Sequence, residues 1–524
     1  MKRVMSIGTV MVLIILLNSC TGWAEHKNQA ESKKKPDSKE MAYDATWESL
    51  KQHSTPQWLR DAKFGIYTHW GIYCYSATRG NATWNVNAAY FNPNSAAAKD
   101  FYEKHGELTP DFGYKDLIPK FTAEKFDAEE WADLFAKSGA KFAGPVAEHH
   151  DGFAMWDTKY SEWNAARMGP KRDVVGELEK AIKAKNMKFV TAFHHAANWT
   201  FFPVWDETKD CNNPEYSGLY GPVHGKGEIP NKEFLDEWYG KLIEVVDKYD
   251  PDFVWFDFAL DRIREDYVKN YVAYYYNKAI ERGKEVVISY KGHDLPPGVA
   301  LLDHELGQEP ELTYYDWITD SSIDDQGAWG YIDGLQYKSV DRLVDNLVDR
   351  ISKNGYLLMN VGPKWDGTIP EGAKKGLLGM GKWLDINGEA IYGTTSWVKY
   401  GEGPTSVELN VRGNAGFNES DIVYTDKDIR FTVKGDTLYA IALAWPEEDV
   451  MIRSLASKKF PGFYIYPDEI TSVTMLGVDQ ELEWELVEGE GLKISPPETK
   501  PCEHAFVFRI VRKHKVHNQL LSEE

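Results

Sequence analysis

Cysteine is scarce in this chain, which has four among 524 residues. Cys74, Cys211 and Cys502 are widely separated and form no CxxC pair, so they indicate neither a disulfide framework nor a zinc site. The histidines also lack the HxH or HExxH spacing that often announces catalytic zinc. We therefore expect no metal and no cofactor, with a metal-dependent hydrolase as a minor alternative.

The chain also lacks an excess of positive charge, a glycine-rich phosphate turn and a membrane-length apolar run. The formal net charge of −21 disfavours a nucleic-acid partner. No glycine-rich turn follows the first predicted strand, which disfavours a nucleotide-binding sheet. The apolar run at the N-terminus ends at Leu17 and is shorter than the roughly 20 residues that span a bilayer.

The N-terminus is typical of a secretory signal, because Lys2 and Arg3 precede that apolar run. Leu17–Cys20 resembles a bacterial lipobox, in which Cys20 would be acylated; cleavage further along the chain is the alternative. We expect residues 1–20 to be a lipoprotein-type signal peptide and residues 21–41 a flexible tether. The protein would then be secreted across the inner membrane as a periplasmic, outer-membrane or cell-surface lipoprotein. Its one membrane contact would be a lipid anchor on Cys20.

Strands alternate with amphipathic helices over much of the chain, which predicts parallel βαβ units. Seven strands are clear, and a weak eighth falls between Tyr315 and Tyr331. Nearly every strand ends in His, Asp, Glu, Lys or Asn, and in a (β/α)8 barrel those ends meet at one mouth. We therefore predict an α/β fold, with a (β/α)8-like (TIM-type) catalytic barrel over 42–395. Alternating strands then predict a C-terminal β-sandwich over 396–515 and a polar tail over 516–524.

Asp257 is the first candidate catalytic residue. It ends the apolar, aromatic run Phe253–Phe256, and a carboxylate in such surroundings costs several kcal/mol or shifts its pKa. A helix cap or an ion pair with Arg262 or Arg264 is the alternative explanation. Glu305 ends a later strand, and two carboxylates among histidines are the parts that glycoside hydrolysis needs. Abundant Trp, Tyr and Phe suit stacking on sugar rings, or equally a well-filled core.

Several motifs occur in one order over about residues 42–395, and together they resemble glycoside hydrolase family 29, the α-L-fucosidases. The resemblance implies a retaining enzyme with a (β/α)8-like barrel followed by a β-sandwich. The expected substrate is a fucosylated oligosaccharide or glycoconjugate. The motifs lie at residues 64–71, 149–153, 169–173, 255–257, 329–331 and 360–363.

The resemblance also implies roles for single residues. Asp257 matches the nucleophile, and Glu305 is our choice of acid/base, with Asp303, Glu309 and Glu311 as alternatives. The expected substrate-binding residues are His69, Trp84, His149, His150, His195, Trp255, Lys291 and Trp329.

Three departures from the family pattern leave the sugar or its decoration open. Thr83 stands where many members have Glu, Lys291 where Arg is expected, and His194-His195 where Tyr is common. We therefore expect an exo-α-L-fucosidase that acts by double displacement on terminal α-L-fucosyl residues. The alternatives are a related hydrolase for a modified fucose or an α-galactoside, and a non-catalytic surface glycan-binding lipoprotein.

Overall fold

A computed structural model describes residues 42–419, 422–456, 465 and 469–513. The predicted signal peptide, tether and polar tail, with Cys20, lie outside the described residues. Within the described part, no helix is both long and apolar enough to cross a bilayer. The three cysteines described there, Cys74, Cys211 and Cys502, are free thiols.

Eight parallel strands close into a barrel in sequence order, with β1 paired to both β2 and β8. This arrangement confirms the predicted (β/α)8-like fold, and the weak eighth strand is β7. The strands are β1 (Phe64–Thr68), β2 (Phe142–Glu148), β3 (Lys188–Phe193), β4 (Phe253–Phe256), β5 (Val287–Lys291), β6 (Leu301–Asp303), β7 (Trp317–Ser322) and β8 (Gly355–Val361).

Most barrel strands are largely apolar because both of their faces are covered. Every residue of β1, β2 and β8 is buried, as expected for parallel strands with side chains inside and helices outside. Gly144 of β2 permits a close approach between strands, since a Cβ there would lie 1.7 Å from the carbonyl oxygen of Val190.

Helices follow most of the barrel strands, but none follows β5 or β6 before the next strand begins. Residues 292–300 and 304–316, all of them described, contain no helix, so β5, β6 and β7 are joined by loops alone. The α-helices are α1 (Trp47–Leu50), α2 (Gln57–Ala62), α3 (Tyr73–Ser76), α4 (Ala82–Phe91), α5 (Ala96–His105), α6 (Ala128–Lys137), α7 (Val174–Ala184), α8 (Asn198–Phe201), α9 (Ser217–Tyr220), α10 (Lys232–Tyr249), α11 (Glu265–Glu281), α12 (Val340–Ser352) and α13 (Glu371–Asn387).

Two antiparallel sheets follow the barrel, in the strand orders β13-β16-β11-β10-β9 and β12-β15-β14. They share one apolar core, to which Trp397 and Phe431 contribute from one sheet and Leu492 from the other, so the predicted sandwich is confirmed. The strands are β9 (Thr395–Glu402), β10 (Ile429–Lys434), β11 (Thr437–Ala442), β12 (Val450–Ile452), β13 (Ile470–Met475), β14 (Trp484–Val487), β15 (Gly491–Ile494) and β16 (Phe506–Arg512).

A buried ion cluster joins the barrel to the sandwich. Asp349 of α12 accepts hydrogen bonds from Lys353 Nζ and from Arg430 Nε of β10, each at 2.6 Å. All three side chains are almost completely buried. Breaking such a cluster would leave charge unpaired inside the protein.

Candidate active site

Asp257 follows β4 directly and lies at the mouth of the barrel. Its amide donates to the carbonyl of Phe193, which fixes the residue beside the end of β3. Its carboxylate lies 2.9 Å from Lys291 Nζ and 3.3 Å from His150 Nε2. Burial alone would raise the pKa of Asp257, but Lys291 and His150 outweigh it and hold the pKa well below its usual range. Asp257 is therefore an ionised, buried carboxylate.

Lys291, at the end of β5, connects three acidic side chains. Its ammonium lies 2.9 Å from Asp257, 2.7 Å from Glu305 and 3.2 Å from Asp320. Because one ammonium contacts both groups, the contacting oxygens of Asp257 and Glu305 are no farther apart than the sum of their distances to Lys291 Nζ. This limit is compatible with the separation of roughly 5–5.5 Å between the two carboxyl groups of retaining glycosidases. Burial alone would lower the pKa of Lys291, but the three carboxylates raise it well above its ordinary value.

Glu305 follows β6, and its environment differs from that of Asp257. Burial raises the pKa of Glu305, and the Lys291 ammonium offsets only part of that rise. One carboxyl group is thus held ionised while the pKa of its neighbour is raised. Such a split is how paired carboxylates come to serve as nucleophile and acid in one pocket.

The other candidates for the acid lie away from the pocket that Asp257 lines. Glu309 is 2.9 Å from His304 and accepts a hydrogen bond from Tyr315. Asp303 lies below the pocket, where it accepts from the indole of Trp255 and from the amide of Asp320. Among Asp303, Glu305, Glu309 and Glu311, all of them described, Glu305 is the one that lines the pocket.

A buried layer closes the bottom of the pocket. Asp320 is 1% exposed and accepts a hydrogen bond from the Tyr67 hydroxyl at 3.0 Å. Burial and the nearby Asp303 raise the pKa of Asp320 well above its usual value. Trp255 is fully buried and lies behind Lys291, whose Nζ is 4.7 Å from the ring centre. Trp255, predicted to bind substrate, thus packs behind the charged groups and does not line the pocket.

Four histidines form one wall of the pocket: His69, His149, His150 and His194. His69 Nδ1 donates to Asn360 Oδ1 at 2.8 Å, which leaves its Nε2 facing His194 Nε2 at 3.2 Å. Burial lowers the pKa of His69 to about 3 and those of His149 and His194 well below their usual value. These rings are therefore neutral near pH 7 and can both donate and accept hydrogen bonds.

Three of these histidines could also hold a metal ion. One nitrogen from each of His69, His149 and His194 lies within 4.8 Å of the others. Neutral imidazoles are good ligands for Zn²⁺, Cu²⁺ and Ni²⁺. Sequence spacing gave no sign of this cluster because its members come from the ends of three different strands.

The structure does not bring His195 to the pocket that Asp257 lines, whereas its neighbour His194 does line it. His195 stacks on Trp238, with ring centres 5.9 Å apart, and faces a small cavity beside Glu148 and Lys241. His194 lies 3.9 Å from Asp257. His194 follows β3 directly, whereas His195 begins a 3-10 turn, and the two side chains lie in different cavities.

Aromatic rings complete the walls. Trp84 packs 5.0 Å from His150 and stacks at 6.2 Å on Phe258, while Trp329 lies 5.2 Å from His69. Trp329 has φ +59, a conformation that non-glycine residues seldom adopt and that is enriched at functional sites.

Sequence reasoning missed four lining residues: Asn81, His194, Phe258 and Asp320. Phe258 could have been found, because it follows Asp257 directly. Asp320 could not, because β7 was the weak strand. Thr83 is buried, and its hydroxyl donates to Asn81 Oδ1 at 2.7 Å.

A parallel barrel with an ionised carboxylate and a carboxyl of raised pKa at its mouth, among histidines and tryptophans, defines a glycoside hydrolase. The family model described as alpha-L-fucosidase matches residues 29–389, and that of the alpha-L-fucosidase C-terminal domain matches residues 420–511. The chain therefore belongs to the α-L-fucosidase family, as its motifs predicted.

Relatives from distant organisms support this membership. Tissue alpha-L-fucosidase of Rattus norvegicus is 30% identical over 483 residues, which cover 90% of this chain and 93% of that protein. Plasma alpha-L-fucosidase of Homo sapiens is 31% identical over 484 residues, covering 89% and 92%. The solved alpha-fucosidase of Thermotoga maritima in complex with fucose is 32% identical, with a TM-score of 0.69 and coverage of 90% of this chain and 100% of that one.

Proposed function

We propose that this α-L-fucosidase is a retaining exo-enzyme that removes terminal α-L-fucosyl residues from glycans by double displacement. The observation that carries the proposal is the pair Asp257 and Glu305, both in contact with Lys291 and with pKa values shifted in opposite directions. A pocket closed at its bottom by buried Asp320 and Trp255 suits the end of a sugar chain. A relative of similar fold has been solved with fucose.

The first step forms a covalent intermediate. The Asp257 carboxylate attacks the anomeric carbon while Glu305 gives its proton to the glycosidic oxygen, so the bond to the leaving group breaks. Lys291 contacts both carboxylates, and its charge keeps Asp257 ionised before the attack.

The second step releases the sugar. Glu305, now ionised, takes a proton from a water molecule, whose oxygen attacks the anomeric carbon and displaces Asp257. Two inversions restore the original anomeric configuration. The neutral histidines can bind the sugar hydroxyls as donors or acceptors, and Trp84 and Trp329 can pack on the apolar side of the ring.

Proton NMR tests both the sugar and the stereochemistry. The protein without residues 1–20 is mixed with 4-nitrophenyl α-L-fucoside, and the anomeric signals are followed from the first minutes. We expect α-L-fucose to appear before the β anomer. Early β-L-fucose would contradict the retaining mechanism. Turnover of a sulfated fucoside or an α-galactoside, without turnover of the plain fucoside, would show that the enzyme is instead a hydrolase for a modified fucose or an α-galactoside.

Substitution tests the two roles. Asp257→Ala should abolish turnover of the aryl fucoside. Glu305→Ala should slow it by about 10²–10⁴-fold, and added azide should restore turnover with a fucosyl azide of retained configuration as product. Glu309→Ala and Glu311→Ala are the matched controls. Azide rescue of either control, and not of Glu305→Ala, would move the acid/base role there.

We also propose that the enzyme is exported and lipidated at Cys20, on the basis of the Leu17–Cys20 motif. Expressed in a Gram-negative host, the full chain should incorporate labelled palmitate and partition into detergent. Cys20→Ala should remove both properties. Unchanged labelling of Cys20→Ala would contradict the anchor.

A further inference from the structure

Residues 403–419, which follow β9, leave the sandwich and reach the loop that carries Glu305. We call residues 403–419 the β9–β10 connection. The amide of Phe417 donates to the carbonyl of Glu305 at 2.7 Å, and that of Glu419 donates to the carbonyl of Leu306 at 2.8 Å. The main chain of the C-terminal domain is thus hydrogen-bonded to the main chain of Glu305, the residue proposed as acid/base.

Asn418 adds a side-chain link between the same two segments. Its Oδ1 accepts from the amide of Gln308, and its Nδ2 donates to the carbonyls of Gln308 and Glu408, all at 2.9 Å. Gln308 N also donates to the carbonyl of Ala415 at 3.0 Å. The half-buried side-chain amide of Asn418 therefore hydrogen-bonds both the main-chain N–H and the main-chain carbonyl of Gln308, three residues after Glu305.

The loop is held in a conformation that it would not favour alone. Leu306 has φ +44, which is sparsely populated for a residue with a side chain and costs on the order of 1–3 kcal/mol. Its amide donates to the carbonyl of Asp320 at 2.9 Å, while its carbonyl accepts from Glu419. The strained residue is fixed by the barrel on one side and by the β9–β10 connection on the other.

The β9–β10 connection is itself anchored in the barrel. The buried Glu419 carboxylate accepts from Arg350 at 2.9 Å, from Ser321 at 2.6 Å and from Lys338. Burial alone would raise the pKa of Glu419, but Lys338 and Arg350 lower it to about 2. An anchor of this kind resists displacement of the segment that follows Asn418.

We propose that the β9–β10 connection is a working part of the catalytic site, with Asn418 as the positioning residue that holds Glu305 at the glycosidic oxygen. The proposal rests on the proposed function, because it takes Glu305 as the acid/base. Proton transfer requires heavy atoms within about 2.6–3.2 Å. A displacement of about 1 Å can cost on the order of 10²-fold in rate. The 304–316 loop contains no helix of its own, so its hydrogen bonds to the β9–β10 connection add to those from the barrel in fixing its conformation.

Leaving-group dependence separates positioning from general damage. For Asn418→Ala we expect kcat/KM to fall about 10-fold or more on aryl α-L-fucosides with poor leaving groups, such as 4-methoxyphenyl. It should stay nearly unchanged on 2,4-dinitrophenyl α-L-fucoside, which leaves without a proton. Val411→Ala is the matched control, since Val411 is fully exposed on the same connection. It should match the wild type on every substrate.

Two further variants keep the outcome decisive. Glu305→Ala must show the same selective loss of kcat/KM, which reports the first step; if kcat/KM falls equally on all substrates, the proposed role of Glu305 as acid fails, whatever Asn418→Ala does. If Asn418→Ala does not fold, Gly307→Ala replaces it, because a Cβ there would lie 2.0 Å from the carbonyl oxygen of Ala415 and force the two segments apart. Given a selective loss for Glu305→Ala, an unselective or absent effect in the folded variant overturns the positioning role.

Discussion

Lys291 sets the protonation of both carboxylates, so its removal should shift the pH dependence of the enzyme. The ammonium lowers the pKa of Asp257 and opposes the rise at Glu305. Asp257 acts ionised and Glu305 acts protonated. In Lys291→Met both pKa values rise, so the acidic and alkaline limbs of kcat/KM against pH should both move to higher pH.

Lys291→Arg is the control, because it keeps the charge while altering the geometry of the contact. Its activity should fall while both limbs stay near their wild-type positions. A Lys291→Met profile that coincides with the wild type would show that this ammonium does not set the pKa of either carboxylate.

The neighbours His194 and His195 allow a second test with a single type of substitution. His194→Phe removes a polar group from the pocket and should lower kcat/KM on aryl fucosides by about 10-fold, consistent with the loss of one or two hydrogen bonds. His195→Phe should alter the thermal midpoint and leave the KM near the wild-type value, because its ring packs on Trp238. The reverse pattern would restore the original sequence assignment.

At the scale of single residues, sequence is informative where a polar residue ends a buried strand. Asp257 and Glu305 were predicted in this way, and the structure brings both to Lys291. Sequence is uninformative where side-chain direction decides the outcome: the structure puts His194 in the pocket and His195 in a separate cavity. The same holds for Trp255, because sequence does not tell which face of a strand a ring occupies.

At the scale of elements, the ends of β1, β2 and β3 converge to form the His69, His149 and His194 cluster. Zn²⁺ or Cu²⁺ should therefore inhibit the enzyme in competition with the sugar, since neutral imidazoles bind these ions and line the same pocket. Inhibition should be reversed by a chelator and weakened in His194→Phe. Inhibition that fucose does not relieve would place the metal elsewhere.

The strand pattern was predictable because parallel barrel strands are short apolar runs that end in polar residues. The weak strand β7 contains Thr319, Asp320 and two serines that are all buried, so hydropathy hid it. The β9–β10 connection was not predictable at all. Its bonds to the 304–316 loop join residues such as Gln308 and Asn418, which are 110 positions apart.

At the scale of the whole molecule, the cluster of Asp349, Lys353 and Arg430 should make the two domains unfold together. Asp349→Ala leaves two buried cations unpaired and should lower the free energy of unfolding by about 3–5 kcal/mol. Lys137→Ala breaks an exposed ion pair with Asp133 and should cost less than about 1 kcal/mol. Urea unfolding measures both, and equal effects would contradict a structural role for the buried cluster.

The order of a barrel followed by a sandwich was predictable from the change in pattern near residue 396. The ion cluster between them was not, because a buried charge looks the same in sequence as an exposed one. Arg430 lies in a β-strand whose other residues are mostly apolar, and this was the one available sign.

The missing helices after β5 and β6 have an evolutionary consequence. A loop without its own helix can gain or lose residues without repacking the barrel wall. The loop at 304–316 is instead paired with a segment of another domain. Among relatives, the two segments should therefore change together in length and sequence. A chimera meant to transfer the leaving-group preference of one relative to another would therefore have to carry both the 304–316 loop and the β9–β10 connection.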